Sequence, residues 1–116
     1  PLQKAQIAMW SRQVEFYLFM QIGMCFQHTT GYFKDRMNPI KEYGIEAGIN
    51  ASKFLNVLNR RLENSLFVAG DEFSIADITT MCSIDFGRVV DVRMKEDHTA
   101  LQEWYNRISE RPSAKA

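Results

Sequence analysis

The residues of this chain whose types could do chemistry are two cysteines, two histidines, a Ser-x-x-Asp pair, an arginine, and a run of aromatic and methionine side chains. Cys25 and Cys82 would act as nucleophiles or ligands only as thiolates. Neither forms a CxxC pair, and neither has a flanking basic residue to depress its pKa. Both read as packing residues. His28 and His98 lie seventy positions apart and belong to no cysteine or histidine cluster, so loop or helix-end roles outweigh a metal site. Cys25, His28 and Tyr32 share helical spacing, which alone does not make a site. Ser74 and Asp77 are three apart, the spacing of a capping box, in which the serine caps a helix and the acid at N3 returns to its backbone N–H. Phe73 before the serine and Ile78 after it have the N′ and N4 spacing of a hydrophobic staple. These four residues are read as building a helix start rather than as catalysts. Phe16, Phe19 and Met20 are divided between core packing and a pocket wall, methionine being adaptable to varied ligands. Arg12 could meet an anionic group, but solvent or a carboxylate is the commoner partner of such an arginine.

The elements that must position these residues are helical. Apolar residues recur with helical spacing almost throughout, and no clean period-2 alternation suggests a strand. The spacing predicts a first helix over residues 3–28. One stripe is Ile7, Trp10, Val14, Leu18, Ile22 and Cys25, and a second is Met9, Phe16, Met20 and Met24. Apolar on several faces, this helix calls for a covering neighbour beyond a small bundle. A loop over 29–39, broken by Gly31 and Asn38-Pro39, leads to a second helix ending near residue 64. Its core stripe is Ala51, Phe54, Leu55, Leu58 and Leu62. Gly44 and Gly48 in its first half cost roughly 1 kcal/mol each against alanine, which close approach to another helix would offset. The third helix starts at Ser74, with Ile75, Ile78, Thr79, Cys82, Phe86, Val89 and Val90 as the expected buried side. Residues 93–98 read as a loop, and Thr99 with Gln102 as a second capping box. The last helix carries Leu101, Trp104, Tyr105 and Ile108 and ends near Arg111-Pro112, because the residue before proline disfavours helix.

Length and composition bound the answer further. The 116 residues amount to one domain, and 46% hydrophobic content supports a core. Basic and acidic groups balance at fourteen each, so no long-range field draws the chain to nucleic acid or to an anionic membrane. The most apolar window, 14–26, is too short to span a bilayer. Pro1 leads into an amphipathic stretch rather than a signal peptide. Unpaired cysteines fit a reducing compartment, so the expectation is a cytoplasmic protein.

The stretch Gly70-Asp71-Glu72-Phe73-Ser74-Ile75-Ala76-Asp77-Ile78 resembles the motif that opens the buried sixth helix of cytosolic glutathione transferases. The segment 101–112, with its Trp104-Tyr105 and its Arg111-Pro112 ending, is similar to that family's closing helix, and Met9-Trp10 to its long fourth helix. The resemblance covers nearly the whole chain and implies an all-α fold, a helical bundle of the transferase C-terminal domain type. Residues 1–116 are then one helical domain, with the family's N-terminal thioredoxin-like domain expected to be absent from them. That domain would bind glutathione and carry the activating Tyr, Ser or Cys.

The resemblance implies a bacterial-type glutathione transferase engaged in detoxification. The helical domain would supply the wall for an apolar electrophile and part of a homodimer interface. No catalytic residue and no metal site are expected here. Aligned on Trp10, the pocket positions are Arg12, Phe16, Phe19 and Met20. Counted from Ser74, a family aromatic falls on Phe86. Several bacterial members carry His-Lys where Phe19-Met20 stand, so this pocket is expected to be more apolar. The alternatives are a non-catalytic interaction module of the superfamily, a glutathione-dependent isomerase, dehalogenase or reductase, and a ligand-binding role resting on the same apolar pocket.

Overall fold

A computed structural model describes residues 1–111; Pro112, the proline of the closing Arg-Pro pair, lies outside the described residues. The described residues form an all-helical bundle with no named strand. Helix α1 (Leu2–Val14), a π-helical turn (Glu15–Phe19) and helix α2 (Met20–Thr29) follow one another without a break. Val14, Leu18, Ile22 and Cys25 face the core. The first three of these are spaced by four. On a regular helix of 3.6 residues per turn, such a stripe drifts around the axis. The π turn, in which the Met20 N–H donates to the Glu15 carbonyl, slows the rotation where the drift would accumulate. It thereby keeps Leu18 and Ile22 on the core side.

Helix α3 (Lys41–Glu63) buries Ala47, Ala51, Phe54, Leu55, Leu58 and Leu62. It lies close against α2 through its glycines. A Cβ on Gly44 would stand 2.7 Å from Thr29 Cγ2 and 2.8 Å from His28 Cβ, and one on Gly48 would stand 3.1 Å from Cys25 Sγ. The two glycines thus permit the approach, and the buried leucines below them supply the burial energy, about 1.5–3 kcal/mol for each full side chain. His28 reinforces the junction, since its Nδ1 accepts the Ile40 N–H at 2.9 Å.

A tight turn at Phe67 to Gly70 precedes helix α4 (Ile75–Gly87), which a short 3-10 turn (Arg88–Val90) extends. The phase of α4 differs from the sequence expectation. Ile75, Ile78 and Val89 are 62%, 49% and 60% exposed, and Cys82 is exposed, whereas Ala76, Asp77, Thr80, Ser83, Ile84 and Gly87 are buried. Small side chains form the inner face because α1 packs directly on it. The buried hydroxyls are satisfied on their own helix: Thr80 donates to the Ala76 carbonyl and Ser83 to the Thr79 carbonyl, both at 2.7 Å. A Cβ on Gly87 would meet the Val92 carbonyl oxygen at 2.7 Å.

Helix α5 (Thr99–Ser109) buries Leu101, Trp104 and Ile108. Its N-cap is His98 rather than Thr99, and no side chain of the cap residue closes it. The expected Thr99–Gln102 box is replaced by a tertiary device. Asn59 of α3 accepts the Leu101 N–H at 2.9 Å, satisfying one of the donors that a helix start leaves open. The Gln102 amide instead donates to the Lys95 carbonyl.

Candidate functional site

Phe73, Ser74, Asp77 and Ile78 lie at the start of α4. Ser74 Oγ accepts the Ala76 N–H at 3.2 Å, and Asp77 Oδ2 accepts the Ser74 N–H at 2.9 Å. Asp77 is fully buried, and its Oδ1 accepts two further donors, the Val68 N–H at 3.0 Å and the Trp104 indole N–H at 2.8 Å. One carboxylate therefore joins the 67–70 turn, the start of α4 and the middle of α5. All three contacts are N–H donors to an acceptor, the pairing that makes a buried carboxylate tolerable. Phe73 packs against the core, while Ile78 is half exposed; both border one shallow depression. None of these groups faces an open cleft as a nucleophile or base.

The aromatic residues assemble elsewhere. Phe19 and Phe86 have ring centroids 5.8 Å apart, and Phe26 stands 5.8 Å from the same Phe86 ring. Phe26 also meets Tyr32 at 5.6 Å and Phe33 at 6.0 Å. The result is a row of rings, from the π turn through α2 to the following loop, closed on one side by α4. Phe19 is 46% and Tyr32 74% exposed, so the row opens to solvent. Ring edges and faces at these separations attract further aromatic rings.

Of the positions taken as pocket-forming from sequence, the structure brings Phe19 and Phe86 together. Phe16 and Met20 are about half exposed and lie outside the buried core. The Arg12 guanidinium pairs with Glu15 at 3.2 Å on the surface. Sequence reasoning did not place Phe26, Tyr32 or Phe33 in this row. Phe26 carried a signal, because it is seven residues, or two helical turns, from Phe19. Tyr32 is singled out only by its helical spacing to Cys25 and His28, and Phe33 sits in the turn that follows α2, where the sequence shows no apolar stripe.

The cysteines, His98 and Tyr105 lie away from the row of rings. Cys25 is buried and Cys82 exposed, both as free thiols. His98 is buried. Its Nδ1 accepts the Lys95 N–H at 3.0 Å, so the ring proton resides on Nε2, which donates to Asn56 Oδ1 at 2.6 Å. Burial holds the His98 pKa below its usual value, with Lys95 acting in the same direction and Asp97 opposing. The Tyr105 hydroxyl donates to Asp85 at 2.5 Å and accepts from Arg88 at 2.9 Å. Its pKa is raised by burial first and then by the Asp85 carboxylate.

The bundle, with a buried aspartate at the head of its central helix and an open row of rings beside it, is similar to known proteins. The family model described as the glutathione S-transferase C-terminal domain matches residues 24–112. The chain belongs to the glutathione S-transferase family. Among curated relatives, Glutathione S-transferase 2 of Saccharomyces cerevisiae is 32% identical over 117 residues, which cover 99% of this chain and 50% of the relative. The crystal structure of Gtt2 from Saccharomyces cerevisiae superposes with a TM-score of 0.93 at 32% identity, over 99% of this chain and 56% of that one. A glutathione S-transferase domain-containing protein of Marinobacter aquaeolei gives 0.90 at 28% identity, over 97% and 56%. The chain thus spans about half the length of the relatives it matches. As a glutathione S-transferase C-terminal domain it holds the capping aspartate and the ring row within one helical unit. No helix among the described residues is long and apolar enough to cross a membrane.

Proposed function

We propose that this chain is the helical half of an enzyme that joins glutathione to apolar, aromatic electrophiles, and that the row Phe19, Phe26 and Phe86 is the wall on which the electrophile lies. The observation that carries the reading is the convergence of Phe19 and Phe86 from different helices at 5.8 Å, with Phe19 left half open to solvent. An open aromatic wall of this kind binds a planar apolar molecule without fixing its identity. Arg12, Phe16 and Met20, on the continuous helical run that carries Phe19, are kept in this proposal as outer positions of the site.

In this proposal residues 1–116 are a single helical C-terminal domain that works with a thioredoxin-like N-terminal domain. Glutathione is bound mainly by that domain, which also supplies the group that generates the thiolate, the nucleophilic form of the thiol. The outward apolar face of α4, with Ile75 and Ile78, is suited to be covered by it. The exposed Tyr17 suits the homodimer interface. Free cysteines support a reducing, cytoplasmic setting.

The test is a chimera in which this chain replaces the helical half of the yeast relative, assayed for conjugation of an aryl halide. The chimera is expected to turn over, and the chain alone to be inactive. Phe86→Ala in the chimera should raise KM for the aryl halide and leave KM for glutathione unchanged. Turnover by the chain alone, or equal change in both KM values, would overturn the proposal.

A further inference from the structure

Residues 91–98 run from the 3-10 turn after α4 to the start of α5 and contain no helix. Two of them are buried, Val92 at 5% and His98 at 2% exposure. Between these two, Arg93, Lys95, Glu96 and Asp97 are exposed. An open groove of about 600 Å³ lies between this segment and α3. Ser52, Lys53 and Asn56 line its α3 side, and Val92 and Lys95 the other. The segment is thus a strap with one buried anchor near each end.

The two anchors differ in chemistry. Val92 is held by apolar burial and by its backbone N–H, which donates to the Gly87 carbonyl at 2.8 Å. Neither tie responds to pH. His98 is held by its ring. Nδ1 accepts the Lys95 N–H at 3.0 Å, and Nε2 donates to Asn56 Oδ1 of α3 at 2.6 Å. That pairing exists only for the neutral ring, because Nδ1 must offer a lone pair. A proton on Nδ1 would set an N–H against the Lys95 N–H, two donors with no acceptor between them. The charged ring would also find little compensation where it is buried. Around it, α3 presents the neutral Asn56, with Lys53 one turn away, and α5 presents the neutral Gln102. Of the strap's own charges, Asp97 favours the charged ring and Lys95 opposes it, while Asp91 and Arg93 pair with each other at 2.6 Å. Helix α5 does not depend on this anchor for its place. Asn59 holds the Leu101 N–H, and Leu101, Trp104 and Ile108 are buried.

We infer that residues 91–98 form an acid-released strap: protonation of the His98 ring frees the anchor on α3 and opens the groove, while the helices stay packed. Val92 then serves as the hinge. Histidine is the side chain whose charge changes in this pH range. The device is independent of the electrophile wall, since no strap residue belongs to the ring row.

Amide hydrogen exchange of the chain from pH 8 to pH 5 tests the inference, read residue by residue by NMR and corrected for the intrinsic pH dependence of exchange. Below about pH 6.5, protection of the Lys95 and His98 amides should fall about tenfold per pH unit, the slope of one proton taken up per opening. Leu55 and Leu58 in α3 should remain far more protected throughout, because the strap opens without global unfolding. In His98→Gln, whose side chain keeps one acceptor and one donor but does not titrate, the pH dependence at Lys95 should vanish. His28 accepts the Ile40 N–H, so any change that it causes there persists in this variant. The unaltered chain gives a second reading that needs no substitution. The His98 ring carbons and the Lys95 amide should shift with one common midpoint, below pH 6.5. Lys95 protection that holds to pH 5, strap exchange only together with Leu55 and Leu58, a pH dependence that survives His98→Gln, or separate midpoints for ring and amide would each overturn the inference.

Discussion

At the scale of single residues, Asp77 is the side chain on which most depends. Its carboxylate satisfies three N–H donors from three separate segments. Asp77→Ala would leave them without a partner, at about 1–3 kcal/mol for each buried donor. A total loss of about 3 kcal/mol or more is expected in urea unfolding. Asp77→Asn should cost distinctly less, because an amide oxygen between Val68 and Trp104 keeps two of the three bonds. Equal losses in the two variants would show that the carboxylate does not act through these donors. His98 provides the pH dependence. Its folded-state pKa lies below the ordinary 6.5, so on acidification the unfolded chain takes up the proton first. The contribution of neutral His98 is complete above about pH 6.5 and is lost as pH falls below that value. Melting temperatures of the chain and of His98→Gln, followed from pH 8 to pH 5, should converge toward the acid end. A constant difference would refute the assignment.

Elements are decided by small residues as much as by large ones. Gly44 and Gly23 are both helical glycines, yet their surroundings differ. At Gly44 a Cβ would meet His28 Cβ and Thr29 Cγ2 inside 3 Å, whereas at Gly23 nothing lies within 4 Å. Gly23→Ala is therefore expected to stabilise the chain by about 0.5–1 kcal/mol through helix propensity. Gly44→Ala should destabilise it, since overpacking of about 1–3 kcal/mol outweighs the same propensity gain. Thermal unfolding of the two variants gives the signs, and two shifts of one sign would contradict the close approach of α2 and α3. The helix positions, the α3 stripe and the Ser74–Asp77 start were legible in the sequence because they rest on local spacing. The phase of α4 was not. Counting apolar residues favoured Ile75, Ile78 and Cys82 as the inner side, but the inner side is Ala76, Thr80, Ser83 and Gly87. Close packing against α1 selects for small volume there, which a hydrophobicity pattern does not register. The π turn at Glu15–Phe19 was equally invisible, because it adds no distinctive residue type.

Taken as a whole molecule, the bundle leaves apolar surface outside as well as within. Ile75, Ile78, Phe16, Tyr17, Met20, Ile45 and Ile49 are all at least two-fifths exposed, and surfaces of that kind mark binding faces. Because Ile75 and Ile78 contribute little to the core, replacing both by Glu should change stability by no more than about 0.5 kcal/mol. In the yeast chimera the same double variant should lose activity or co-folding of the two halves, read as earlier unfolding in a calorimetric scan. An unaffected chimera would place the domain contact elsewhere. The sequence by itself determined that the chain is helical, where its central helix α4 begins, and which family it resembles, since the Ser74–Asp77 box and heptad-scale stripes are written in neighbours. The tertiary structure alone decided which face of α4 turns inward, that Phe19, Phe26 and Phe86 form one row, and that Lys53 and Lys95 share a groove. Those relations join residues from different helices, and they are set by how closely two backbones can approach, a property of packed volume that spacing along one chain does not encode.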